Sequence, residues 1–202
     1  LKRLGIEENV VMIPHGIYPP PSKSATPLPV DGRVMGTFGF LLPHKGQLEL
    51  VEAFERLPGW DKLLLLCATR EGTGNTEKKI NSLIESKGLA DRVELVTEFL
   101  DDEVAIATLA KCELLVFPYQ NTKESASGAV RMGVASGSAI AVSPIPIFDD
   151  VTGAIRMRGT SVDDIVASIS MLSEEDLDSS RKEIVELRDS LQWEEVAKRI
   201  QE

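Results

Sequence analysis

Short, mostly apolar runs alternating with helix-period segments constrain this chain more than any other feature. Val34 to Phe40, Lys62 to Ala68, Arg92 to Val96, Glu113 to Phe117 and Ala139 to Ser143 read as strands in which apolar residues follow one another without alternation. Successive strand side chains point to opposite faces, so such runs need both faces of a sheet covered. Between them lie helical segments: Lys45 to Leu57, apolar at 48, 51, 54 and 57, then Thr76 to Lys87, Asp101 to Lys111 and Ser125 to Ser136. A weak strand near Ala154 to Met157 and an amphipathic helix from Val162 to Leu172 continue the rhythm. Repeated βα units imply an α/β, doubly wound parallel sheet.

The flanks read differently. A short strand, Asn9 to Ile13, leads into a segment holding six of the eleven prolines between Pro14 and Pro29, so residues 15 to 32 are expected to be extended. The expected organisation is a leading strand and Pro-rich connector over 1–32, and a Rossmann-like domain with terminal helices over 33–202. From Glu174 onward the chain is acidic and helical, ending in a helix with Trp193, Val196 and Ile200 on one face. The start carries neither a methionine nor a signal peptide, so the chain is expected to be part of something longer.

Charge narrows the partners. With 32 Asp plus Glu against 22 Lys plus Arg, the net charge of -10 has the wrong sign for gripping nucleic acid or an anionic bilayer. Any phosphate must be held by a local site. The longest purely apolar run, Leu63 to Ala68, is far too short for a membrane span. Cys67 and Cys112 offer no disulfide framework and no paired metal-ligand spacing, which suits structural thiols of a cytoplasmic protein.

Two loops should carry the chemistry, because ligands of open α/β sheets bind outside the carboxyl ends of the strands. One runs from Gly36 through Gly39 to Lys45 and Gly46; it is neither a Walker A loop nor a GxGxxG fingerprint. A lysine at a helix start is misplaced by roughly 0.3–1 kcal/mol unless an anion sits there. The bland reading of Lys45 is a solvated surface side chain. The other loop runs from Pro118 to Gly128, where small residues at 125 to 128 let a ligand approach the backbone N–H groups of a helix start. Glu124 at its rim reads either as a helix-capping carboxylate or as an acceptor for sugar hydroxyls.

Taken together, Ile13-Pro14-His15-Gly16-Ile17, the Gly39 to Gly46 segment, the Glu124 segment and Trp193-Glu194-Glu195-Val196-Ala197 resemble the C-terminal half of a family 4 glycosyltransferase of GT-B fold. Glu-Ser-Ala-Ser-Gly-Ala-Val-Arg is similar to a bacterial variant of that family. The resemblance implies two Rossmann-like domains facing across a cleft, the present one binding a nucleotide-diphosphate sugar. It implies transfer with retention to a glycan, lipid-linked or small-molecule acceptor, with no cofactor and no essential metal. The N-terminal domain would be missing here, and this half alone inactive.

Residue by residue, the resemblance puts Gly39, Lys45 and Gly46 in the diphosphate segment and makes Lys45 and Glu124 the catalytic pair. Thr97 and Phe99 fall where the nucleobase packs, and Ser125, Ala126, Ser127 and Gly128 line the phosphates. Three positions depart from the family pattern: Phe40 for an arginine, Met132 for a ribose-binding glutamate and Glu98 for a glycine. Arg131, beside Met132, has no counterpart in the pattern. A nicotinamide-dependent Rossmann enzyme is disfavoured by the missing fingerprint, and a non-catalytic GT-B module using its acidic helices as an interaction surface is the other alternative. Asp149-Asp150 alone does not make a metal site, while His15, His44 and Arg70 are further cleft candidates.

Overall fold

A computed structural model describes residues 13–70, 74–122, 124 and 126–201. Most of the expected Asn9 to Ile13 strand lies outside the described residues. Six strands, β1 (Val34–Phe40), β2 (Lys62–Ala68), β3 (Val93–Val96), β4 (Leu114–Phe117), β5 (Ala139–Val142) and β6 (Ile155–Arg156), form one sheet in the order β3-β2-β1-β4-β5-β6. Every pairing is parallel. The helices are α1 (Gln47–Phe54), α2 (Gly74–Ser86), α3 (Asp102–Leu109), α4 (Gly128–Ser136), α5 (Val162–Ile169), α6 (Glu174–Ser190) and α7 (Trp193–Gln201).

The unbroken apolar strands are explained by two cores, one on each side of the sheet. Leu64, Leu66, Leu115, Phe117, Ile140 and Val142 pack with α3, α4, α6 and α7 through Ile106, Leu109, Val130, Val134, Ile184 and Val196. Their sequence neighbours Leu63, Leu65, Leu114, Val116, Ala139 and Ala141 face α1, α2 and α5 through Val51, Phe54, Ile80, Ile84, Ile165 and Ile169. Each Val, Leu, Ile or Phe among them contributes about 1.5–3 kcal/mol on burial. The expected α/β doubly wound sheet is therefore the observed one.

The order of the strands also sets where a ligand can go. Chain connections run outward in both directions from the β1/β4 pair, which makes the pair the topological switch point. β1 stays in register with β2 from Val34 to Phe40, yet pairs with β4 only at Met35 and Gly36. The two strands part toward their carboxyl ends, and a crevice opens between the loops that follow them.

Helix boundaries there differ from the periodicity. α1 begins at Gln47 and not at Lys45, because Pro43–Lys45 forms a 3-10 turn and Gly46 takes a left-handed φ of 72°. α4 begins at Gly128 and not at Ser125, because Ser127 is extended and its hydroxyl accepts from the Val130 N–H. The hydroxyl that serves as cap decides the start. α5 and α6 start in capping boxes, Ser161 with Asp164 and Ser173 with Asp176.

The Pro-rich segment lies along the edge of the sheet-covering helices. Ile17 is fully buried, its N–H donates to the Leu191 carbonyl at 2.7 Å, and it forms a parallel bridge with Gln192. Farther on, the Leu28 N–H donates to Thr108 Oγ1 at 3.0 Å. Trp193 does not pack wholly into the domain: it is 50% exposed, resting over Gly16 and beside the His15 ring, while Val196 one turn later is buried.

Candidate functional site

The two loops at the switch point are clamped together through their backbones. The Gln120 N–H donates to the His44 carbonyl at 2.8 Å. Gly46 permits the close approach, since a Cβ there would run into the carbonyl oxygen of Pro118 and its φ is left-handed. Gly39, at φ 132°, brings the end of β1 against the first turn of α4, where a Cβ would lie 3.0 Å from that of Ala129.

Into this clamp the sequence places opposite charges 79 residues apart. Lys45 is buried, its Nζ 2.7 Å from Glu124 Oε2 and 4.0 Å from the centre of the Tyr119 ring. The other carboxylate oxygen of Glu124 meets His44 Nε2 at 3.2 Å. Partial burial pushes the Glu124 carboxyl upward, but the Lys45 hydrogen bond and charge, followed by those of His44, outweigh it and hold it below the ordinary carboxylate value. Tyr119 is buried beneath the lysine and shares a 2.8 Å hydrogen bond with the hydroxyl of Ser127. Burial raises its phenol, so it stays protonated.

A cleft of about 570 Å³ opens beside this cluster. Gly39, Lys45, Glu124, Ala126, Ser127 and Gly128 line its inner end. Its outer end is lined by Phe99 and Arg70, with Phe99 79% exposed and the Arg70 guanidinium 5.6 Å over the Phe40 ring. Asp102, Tyr18, Arg131 and Met132 also line the cleft. The Asp102 carboxylate, first by its charge and then by its hydrogen bond, raises the phenol of Tyr18.

The structure thus gathers most of the residues singled out in the sequence. Lys45 is not a solvated surface lysine, and Glu124 is not the cap of α4, a role that Ser127 fills. Gly46 supports the loop from behind and does not line the cleft. Thr97 also stays off the wall, its carbonyl accepting from the Thr69 N–H at 3.2 Å. Ser125 lies outside the described residues. Asp150 is engaged by Arg131, and no group of three metal-ligating side chains occurs among the described residues.

His44 gains the companion acid that its sequence neighbours do not supply. Tyr119 was not foreseen as part of the site. Its signal is an aromatic directly after the proline that ends β4, where it must turn inward beneath whatever the loop presents.

No protein-family model and no curated protein matches the chain. Solved structures do. Sucrose-phosphate synthase from Thermosynechococcus elongatus aligns over 94% of this chain and 50% of its own, with a TM-score of 0.79 at 20% identity. HepE from Anabaena, solved in complex with UDP and glucose, aligns over 83% of this chain and 47% of its own, with a TM-score of 0.71 at 15% identity. A UDP-forming trehalose-phosphate synthase from Burkholderia xenovorans gives 84% and 43%, with a TM-score of 0.69 at 11% identity. These neighbours are GT-B glycosyltransferases, and the likeness establishes the Rossmann-like fold. The chain spans about half the length of each.

Proposed function

We propose that this chain is the donor-binding, C-terminal half of a retaining, metal-independent family 4 glycosyltransferase, holding a nucleotide-diphosphate sugar for transfer to an acceptor. The observation that carries the reading is the Lys45–Glu124 pair, 2.7 Å apart, beside the start of α4 at the switch point. Negative charge grows on the leaving diphosphate as the glycosidic bond breaks. The Lys45 ammonium and the first-turn N–H groups of α4 stabilise it where it develops. Each charge-assisted hydrogen bond contributes roughly 1.5–3 kcal/mol.

Without ligand, Lys45 is neutralised by Glu124. Donor binding transfers the ammonium to phosphate and frees the carboxylate, which then accepts hydroxyls of the sugar, while His44 keeps it oriented. The acceptor and the rest of the catalytic apparatus belong to a facing N-terminal domain, so this half binds weakly and does not turn over.

Calorimetry of this chain with nucleoside diphosphates tests the reading. Weak binding, lost by at least tenfold in Lys45→Ala, is expected. Equal affinity of both proteins would remove Lys45 from the site, and no binding to any nucleoside diphosphate would leave the scaffold as an interaction module.

A further inference from the structure

Arg131, the fourth residue of α4, lines the cleft and is only 2% exposed. One terminal nitrogen donates to the carboxylate of Asp150. Its Nε and Nη1 are buried and find no hydrogen-bond partner among the described residues. A guanidinium presents five donors in a fixed fork, and leaving buried ones unused is costly unless something else takes them up. The other buried cation of the cleft, Lys45, already shares its charge with Glu124. An arriving dianion would therefore meet one lysine held in competition with a carboxylate, and a second buried cation with donors to spare.

We propose that Arg131 is an anion receptor of this cleft, donating from its unused nitrogens to a phosphate oxygen of the ligand and supplying a second cation beside Lys45. Asp150 holds the guanidinium in place and competes with the ligand for it. The assignment of that anion to a diphosphate rests on the function proposed above; the anion site itself rests on the guanidinium.

Calorimetric titration of the 202-residue chain with inorganic pyrophosphate and with UDP tests this. Arg131→Gln is expected to weaken pyrophosphate binding roughly tenfold or more, whereas Asp150→Asn, which removes the competitor, is expected to tighten it about threefold or more. Unchanged pyrophosphate affinity in Arg131→Gln, with a lowered melting temperature in both variants, makes the pair a structural strut and overturns the proposal. Should Arg131→Gln fail to fold, Asp150→Asn decides alone: tighter binding supports the receptor, and equal or weaker binding overturns it. Arg131-dependent pyrophosphate binding with no gain from the uridine would sink a uridine-nucleotide reading and leave the anion site standing. Binding of neither probe would sink both.

Discussion

The inner and outer ends of the cleft are built on the same plan, a strand followed by a loop and a helix, yet they are finished differently. At the inner end the β1–α1 and β4–α4 loops share a backbone hydrogen bond, a buried lysine bonded to Glu124, and a tyrosine bonded to the cap of α4. At the outer end the Thr69 N–H donates to the Thr97 carbonyl between the loops after β2 and β3, and Phe99 is presented with 79% of its surface open. Charge stabilisation depends steeply on position, so the groups that meet an anion are fixed in advance. An aromatic platform tolerates sliding and gains its second face from the ligand itself.

Breaking the clamp should have the largest effect. Gly46→Ala forces a Cβ against the Pro118 carbonyl at a left-handed φ, and a stability loss of roughly 2–5 kcal/mol is expected in denaturant unfolding. A loss under about 1 kcal/mol would mean that the two loops move apart freely. At the outer end Phe99→Ala should leave stability within about 0.5 kcal/mol, as exposed substitutions do. Affinity for UDP, but not for pyrophosphate, should fall by about 1 kcal/mol if the ring carries the base. Equal losses for both probes would erase the distinction between the ends.

The smallest effect is electrostatic. Because the Glu124 carboxyl is held below its ordinary value, its pairing with Lys45 contributes stability above that value and loses it as the pH falls through the lower folded one. The carboxylate is 37% exposed, so the contribution is modest. Denaturant midpoints of the parent chain and Glu124→Gln should differ slightly at pH 7 and converge in acid, as the pH falls through the lowered folded value. A difference growing toward acid would reverse the assignment.

The sheet was legible because burial on both faces writes itself into consecutive residues, as in Leu63 to Leu66, and no partner from elsewhere in the chain is needed to read it. The site was legible as a set of loops, but not as contacts. Lys45 reads as a surface side chain until Tyr119 and Glu124 arrive from the other side of the switch point. Glu124 reads as a helix cap until the fold sets Ser127, paired with the Tyr119 hydroxyl, in that role. The stripe of Trp193 and Val196 predicts one buried face, yet Trp193 lies over Gly16 half in solvent because the chain leading into the domain passes beneath it.

That passage has a mechanical consequence. Ile17, sealed in the core, is stitched to Leu191 and Gln192 where α6 gives way to α7. Tension applied to the incoming chain would be delivered to this seam and to the junction of the last two helices before any strand of the sheet felt it. The seam is one parallel bridge, with the Ile17 N–H on the Leu191 carbonyl at 2.7 Å and the buried Ile17 side chain beside it. Tyr18, the next residue along, lines the cleft, so strain at the seam would reach one cleft wall while the strands of the sheet kept their register.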